Sequence, residues 1–245
     1  MIKRILNLAI ILLLGFTQNA LAQDSGFLSD YAGLEANTDV GVDNAKTYLH
    51  PDGFTVLGKY QAIMIDQPEL IVATDSKVKS MKPDDMVEVA EAMRITLSNQ
   101  LTENYFIVDK PGPDVMLLRT AASNLYLKKA KRGFLSYTPI GAVAHAAKQA
   151  ATDDLAKKMS LVEVTIEAEI LDSMSGERLA AFVTQRGQRK DKKKNQNMEP
   201  SSWTELMGLL ELTGARINCR LDNARKAKSD WTDCITAHPE QVAAE

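Results

Sequence analysis

The chain has 245 residues, of which 45% are hydrophobic, 25% charged and 6% aromatic, the composition of a globular protein and not of a disordered, collagen-like or disulfide-dense one. Its 29 basic and 32 acidic residues give a formal charge of −3, so whole-chain electrostatics do not favour a nucleic-acid partner. Three separated histidines, His50, His145 and His238, and two late cysteines argue against a dense metal or redox cluster.

Residues 1–22 read as a secretory signal: Lys3 and Arg4, an apolar run from Ile5 to Phe16, then the small-residue site Ala20-Leu21-Ala22. The run is about twelve residues against the roughly 20 needed to cross a bilayer, which favours a cleaved leader over a permanent span. Cleavage is expected between Ala22 and Gln23. Because residue 23 is glutamine and not cysteine, lipid attachment is not expected there, and the mature chain is expected to be soluble and periplasmic. Residues 23–58 read as a lead-in, with a short helix in GFLSDYAGLE (Gly26 to Glu35) followed by a linker.

A single α+β domain is expected over 59–227. KYQAIMID, Lys59 to Asp66, has the apolar centre of a strand. Lys82-Pro83-Asp84-Asp85 opens a long helix, because proline fits the first turn and carboxylates meet the positive end of the helix dipole. Met86, Val89, Ala90, Met93, Leu97 and Leu101 give that helix one apolar stripe. Tyr105 to Val108 and DVMLLRTAAS read as a hairpin around Pro111-Gly112-Pro113, with Met116, Leu118, Thr120 and Ala122 on one face. From Tyr126 to about Ser160 a crossover is expected, filled by a helix around Ile140 to Lys157.

Val162, Val164, Ile166, Ala168 and Ile170 alternate with Glu163, Thr165, Glu167 and Glu169, the pattern of a strand with one core face and one wet, acidic face. The turn DSMSGE returns the chain along Arg178 to Arg186. Pairing Asp172 with Glu177 sets Ile170 opposite Leu179, Ala168 opposite Ala181, Ile166 opposite Val183 and Glu163 opposite Arg186. Ser202-Trp203-Thr204-Glu205 fits a capping box, and Trp203, Leu206, Met207, Leu210, Gly214, Ile217 and Leu221 stripe the helix that follows. Cys219 falls on the opposite side, free to meet a polar tail at 228–245. In an oxidising compartment Cys219 and Cys234 are expected to bridge, closing a loop of about 15 residues worth about 3 kcal/mol. Together these elements predict a mixed or antiparallel sheet of about four to five strands with two long amphipathic helices packed on it.

No phosphate loop, dinucleotide fingerprint, zinc motif or nucleophile elbow is present in the sequence, so neither cofactor nor metal is implied and an enzyme is not expected. His145 lies in the apolar stretch GAVAHAAKQ without an accompanying nucleophile or carboxylate pattern, and reads as a packed or surface histidine. Two basic runs remain. Lys128, Lys129, Lys131 and Arg132 open the crossover, and Arg186, Arg189, Lys190, Lys192, Lys193 and Lys194 follow the last strand. If their strands end at one edge of the sheet, the runs form a patch suited to anionic lipid or an acidic envelope polymer.

GFLSDYAGLE, YLHPDG (Tyr48 to Gly53), DKPGPDVMLLR (Asp109 to Arg119) and above all IEAEILDSMSGERLAAFV (Ile166 to Val183), in this order, resemble domain-of-unknown-function family number 3313, exported bacterial envelope proteins of which many are lipoproteins. The resemblance spans roughly Gly26 to Arg225 and departs from the family in lacking the lipid-bearing cysteine. It implies no catalytic residues to carry over. It implies an exported, non-enzymatic protein of the cell envelope. The preferred reading is an accessory or binding protein that works through contacts with another envelope protein, with an envelope lipid- or polymer-binding protein using the basic patch and an enzyme with a dispersed active site as the alternatives. Intact-mass measurement of the periplasmic fraction is expected to show a chain beginning at Gln23 without acyl groups; a mass retaining the leader or carrying acyl chains contradicts this.

Overall fold

The computed structural model describes residues 24–42, 44–130, 155–187 and 202–238. Its eight strands form one sheet: β1 (Glu35–Ala36), β2 (Lys46–Leu49), β3 (Ala62–Ile65), β4 (Glu69–Val72), β5 (Phe106–Ile107), β6 (Val115–Lys129), β7 (Met159–Asp172) and β8 (Arg178–Gly187). The order across it is β1-β2-β8-β7-β6-β3-β5, with β4 pairing β6 beyond the end of β3. β3 and β4 lie end to end along β6 and parallel to it. Between them Pro68, which carries no backbone N–H, interrupts the line. The described helices are α1 (Phe54–Leu57), α2 (Pro83–Leu101), α3 (Trp203–Asn223) and α4 (Cys234–Ala237).

The mixed α+β class holds, but the sheet has more strands than expected because the lead-in joins it: β2 pairs antiparallel with β8 and β1 with β2. The expected hairpin between β5 and β6 does not form. β5 pairs parallel with β3, which lies between it and β6. Prolines 111 and 113 supply no ladder donors, so the connection runs past the start of β3, where Gln61 and Ala62 both donate to the Asp114 carbonyl. β6 also runs on to Lys129, through the stretch expected to begin the crossover. The helix expected at Ile140 to Lys157 lies largely outside the described residues, whose part of it, 155–158, is helical.

The α2 and α3 stripes emerge as the sequence predicts. Val89, Met93 and Leu97 from α2 meet Trp203, Leu206 and Leu210 from α3 over Ala122, Leu125, Val164 and Ile166 of the sheet. Ser202 and Glu205 complete the capping box at the start of α3, and Trp203 Nε1 donates to the Met159 carbonyl at 3.1 Å, fixing the helix over the start of β7. Gly214 marks the helix crossing, since a Cβ there would lie 3.0 Å from Gln100 Cβ.

The opposite face of the sheet overturns the expectation of a wet, acidic surface. Glu163, Glu167 and Glu169 are 2%, 1% and 0% exposed. Residues 24–34 cross this face as an irregular strap, not a helix. Phe27 and Leu28 pack there on Ala121, Ala181 and Val183. The Glu167 and Glu169 carboxylates meet donors from the strap and from β6. Ser29 gives its backbone N–H and hydroxyl to Glu169 Oε2 at 3.0 and 2.8 Å, and Arg119 pairs with Oε1. The Tyr31 and Ser123 hydroxyls donate to the two oxygens of Glu167. Burial and the hydrogen bond to Glu167 hold the Tyr31 phenol above its ordinary pKa. Its oxygen in turn accepts from the backbone N–H of Phe27 and Leu28 at 3.2 and 3.3 Å, so the strap folds around it.

The turn register is as expected, with Asp172 N donating to Glu177 O at 2.9 Å. Asp172 Oδ1 accepts from the backbone N–H of Ser175 and Met174 at 2.7 and 3.0 Å, bonds that lower its pKa, and Gly176 takes φ +75°. Beyond the turn the expected pairing is displaced by one residue. A bulge after Leu171 and Arg178 sets Ile170 opposite Ala180, Ala168 opposite Phe182, Ile166 opposite Thr184 and Glu163 opposite Gly187. Because side chains alternate, the slip moves Ala181 and Val183 to the strap side and Phe182 to the helix side, while Leu179 is fully buried among Leu118, Ile170 and Leu221.

Glu167→Lys removes the acceptor of two buried hydroxyls and is expected to destabilise the fold by about 3–5 kcal/mol in urea denaturation. Glu103→Lys, in the exposed turn after α2, is expected to change stability by less than about 0.5 kcal/mol. Equal effects would contradict the buried position of Glu167.

Candidate functional site

The bulge that turns Ala180 and Phe182 toward the helices also shapes an opening between α3 and the β2 side of the sheet. Small side chains at Ala168 and Ala180 leave the space unfilled, and the result is a cavity of about 360 Å³. Ile170, Phe182, Leu57 and Val42 give it apolar walls, with Ile217 and Leu221 of α3 on the other side. Its volume is within the roughly 300–1,000 Å³ typical of small-molecule sites.

Thr213, Arg216 and Arg220 also line the cavity, at the spacing of three and seven residues that places them along one side of α3. Thr213 is 7% exposed, and its hydroxyl has no hydrogen-bond partner among the described residues. A buried unsatisfied polar group of this kind costs about 1–3 kcal/mol. Arg216 is buried and committed to backbone carbonyls: Nε donates to His238 at 3.0 Å, and Nη1 to Gly41 and Val40 at 2.7 and 3.2 Å. Arg220 donates through Nη2 to the Asp39 carbonyl at 2.8 Å. Burial, and then the Arg216 charge, hold its pKa below the ordinary arginine value against the opposing pull of Asp39.

The C-terminal segment lies beside Arg220 and forms the rim of a second, smaller cavity. The expected bridge between Cys219 and Cys234 is present, with Cα atoms 5.7 Å apart. Asn223 clamps Thr232 from both sides, donating to its carbonyl at 2.8 Å and accepting from its N–H at 2.9 Å. Asp233 caps α4 by accepting from the Ile235 and Thr236 amides, so residues expected to form a polar tail are folded as far as His238. Trp231 meets Phe54 edge to face at 5.6 Å. This smaller cavity, of about 190 Å³, shares Asp39, Phe54 and Arg220 with the larger one.

Of the basic residues singled out from the sequence, Lys128 and Lys129 end β6, with Lys128 Nζ 5.6 Å from the centre of the Tyr126 ring. Lys131, Arg132, Arg189, Lys190, Lys192, Lys193 and Lys194 lie outside the described residues, as do Ala22, Gln23 and His145. β6 and β8 are both antiparallel to β7, so the two strands leading into the basic runs point to the same end of the sheet. Thr213, Arg216 and Arg220 were not anticipated. Their signal was two arginines and a threonine in phase with the apolar stripe of α3, where hydrocarbon side chains are expected.

The fold and site define an α+β domain with a single mixed sheet, two long helices on one face, a strap on the other and a cavity beneath the second helix. The chain belongs to the family described as Protein of unknown function (DUF3313), whose model matches residues 23–212. No curated protein matches it in sequence. Among solved structures it is similar to the PelC dodecamer from Paraburkholderia phytofirmans, at 10% identity and TM-score 0.36 over 70% of this chain and 96% of that one. It is also similar to a DUF4136 family protein from Bacteroides thetaiotaomicron, at 9% identity and TM-score 0.37 over 74% and 96%. A third is lipoprotein GNA1162 from Neisseria meningitidis, at 13% identity and TM-score 0.29 over 61% and 92%. Among the described residues no helix is long and apolar enough to cross a membrane.

Proposed function

We propose that the protein is an exported accessory protein of the cell envelope, periplasmic once its leader is removed, that binds and does not catalyse. Its working site is the cavity beneath α3. The observation that carries this reading is a cavity of about 360 Å³ with apolar walls and the Arg220 guanidinium on its lining. Three carboxylates elsewhere have structural employment. Glu167 and Glu169 hold the strap, and Asp172 holds the β7–β8 turn while accepting from the Tyr60 hydroxyl at 2.8 Å. Envelope location is supported by the signal-like residues 1–22 and by family membership.

A second reading, contact with an anionic lipid surface, an acidic polymer or an envelope protein through the basic runs, is favoured by the shared direction of β6 and β8. In that reading Lys128 and Lys129 border the contact and the cavity serves another purpose.

Nile red, an uncharged dye whose emission shifts in apolar surroundings, tests the cavity directly. The mature protein is expected to take up about one equivalent with a blue shift, and Ala180→Phe, which grows into the cavity, is expected to abolish uptake while the far-UV circular dichroism is preserved. No uptake, or uptake unaffected by the substitution, contradicts the proposal.

A further inference from the structure

We infer that the ligand of this cavity is a single-headed anionic amphiphile, an aliphatic body with a carboxylate or phosphate-ester head that Arg220 receives. The inference rests on the cavity being the working site.

The body is specified by the walls. Leu57, Ile170, Phe182 and Leu221 offer hydrocarbon and aromatic surface, which fits a flexible apolar chain better than a sugar or a nucleotide. The head is specified by the charges. Arg216 and Arg220 stand one turn apart on α3, a spacing that concentrates positive charge on this side of the helix. Arg216 is held by three backbone carbonyls. Arg220 spends one donor on the Asp39 carbonyl, and among the described residues it forms no ion pair. A guanidinium carries five N–H donors in a fork matched to carboxylate and phosphate oxygens, so most of its capacity is uncommitted. The Asp39 carboxylate is exposed to solvent and screened as a countercharge.

Thr213, also on the lining, stands two turns, about 10 Å, further along α3 from Arg220. A ligand anchored by its head at Arg220 therefore runs past Arg216 toward Thr213. The rim that flanks Arg220 is tied down by the Cys219–Cys234 bridge, so the head-group end of the site is preorganised.

Calorimetric titration of the oxidised mature protein with dodecanoate, dodecyl phosphate and dodecanol, each below its aggregation limit, tests the assignment, with acetate and inorganic phosphate as free-head controls. The two amphiphilic anions are expected to bind with one-to-one stoichiometry and at least about tenfold tighter than dodecanol, as a charge-assisted hydrogen bond implies. The free heads are expected not to bind in the same range. Arg220→Gln should erase the preference for the anions over dodecanol, with far-UV circular dichroism showing that the variant is folded. Arg220→Lys should retain part of the preference. If dodecanol binds as well as dodecanoate, or Arg220→Gln keeps the preference, the head-group assignment is overturned and the cavity stands. Should acetate or phosphate bind as tightly as the amphiphiles, the apolar body is not recognised and the inference fails. If no chain binds and Nile red is excluded, the cavity reading falls with it.

Discussion

Two glutamates, Glu167 and Glu169, on the central strand of a sheet covered on both faces set the terms for the rest of the molecule. An ionised carboxylate taken out of water costs several kcal/mol unless hydrogen bonds and countercharges replace its hydration. β7 cannot leave the interior, because its other face carries Val164 and Ile166 into the main core under α2 and α3. Donors therefore have to come to the carboxylates. Arg119 and Ser123 supply them from β6, and Ser29 and Tyr31 supply them from the strap. The strap is thus part of the fold.

The bulge at the start of β8 makes this arrangement and the cavity compatible. One residue of slip gives the strap an apolar floor of Ala181 and Val183 beside the glutamates, and on the other side sends Ala180 and Phe182 toward α3. An unbulged hairpin would exchange these faces, putting Ala181 and Val183 against the helices and Phe182 under the strap. The same local irregularity therefore closes one face of the sheet and leaves an opening on the other.

Much of the fold was legible because it obeys one period at a time. The stripe of α2, the capping box of α3, the strand at Ile63, the turn after Asp172 and the cysteine pair all followed from spacing and residue type. What failed did so for particular reasons. Alternation at Glu163 to Glu169 signals two different faces, but it does not say that the polar face is wet; Ser29, Tyr31, Arg119 and Ser123 lie at distances in the chain that no period connects. The FLSDYAGL spacing of the strap suits a helix, yet its apolar residues are used against a sheet and its Tyr31 hydroxyl is spent on Glu167. The bulge has no sequence signal beyond the good fit of Leu179 to a fully buried position. As to the site, the bridge was read and the arginines were not, because Arg216 and Arg220 sit in a stripe whose neighbours are core residues.

The claim on which the rest depends is that the strap is a fixed layer over the buried carboxylates. Native-state hydrogen exchange of the full chain, read at the Ser29 amide that donates to Glu169 and at the amides of Phe27 and Leu28 that donate to Tyr31, tests it most directly. The account predicts protection in the range of the β7 interior, so that these amides open only when the sheet does. Exchange at the rate of an unstructured segment while β7 stays protected would contradict it, since the glutamates would then be held without the strap.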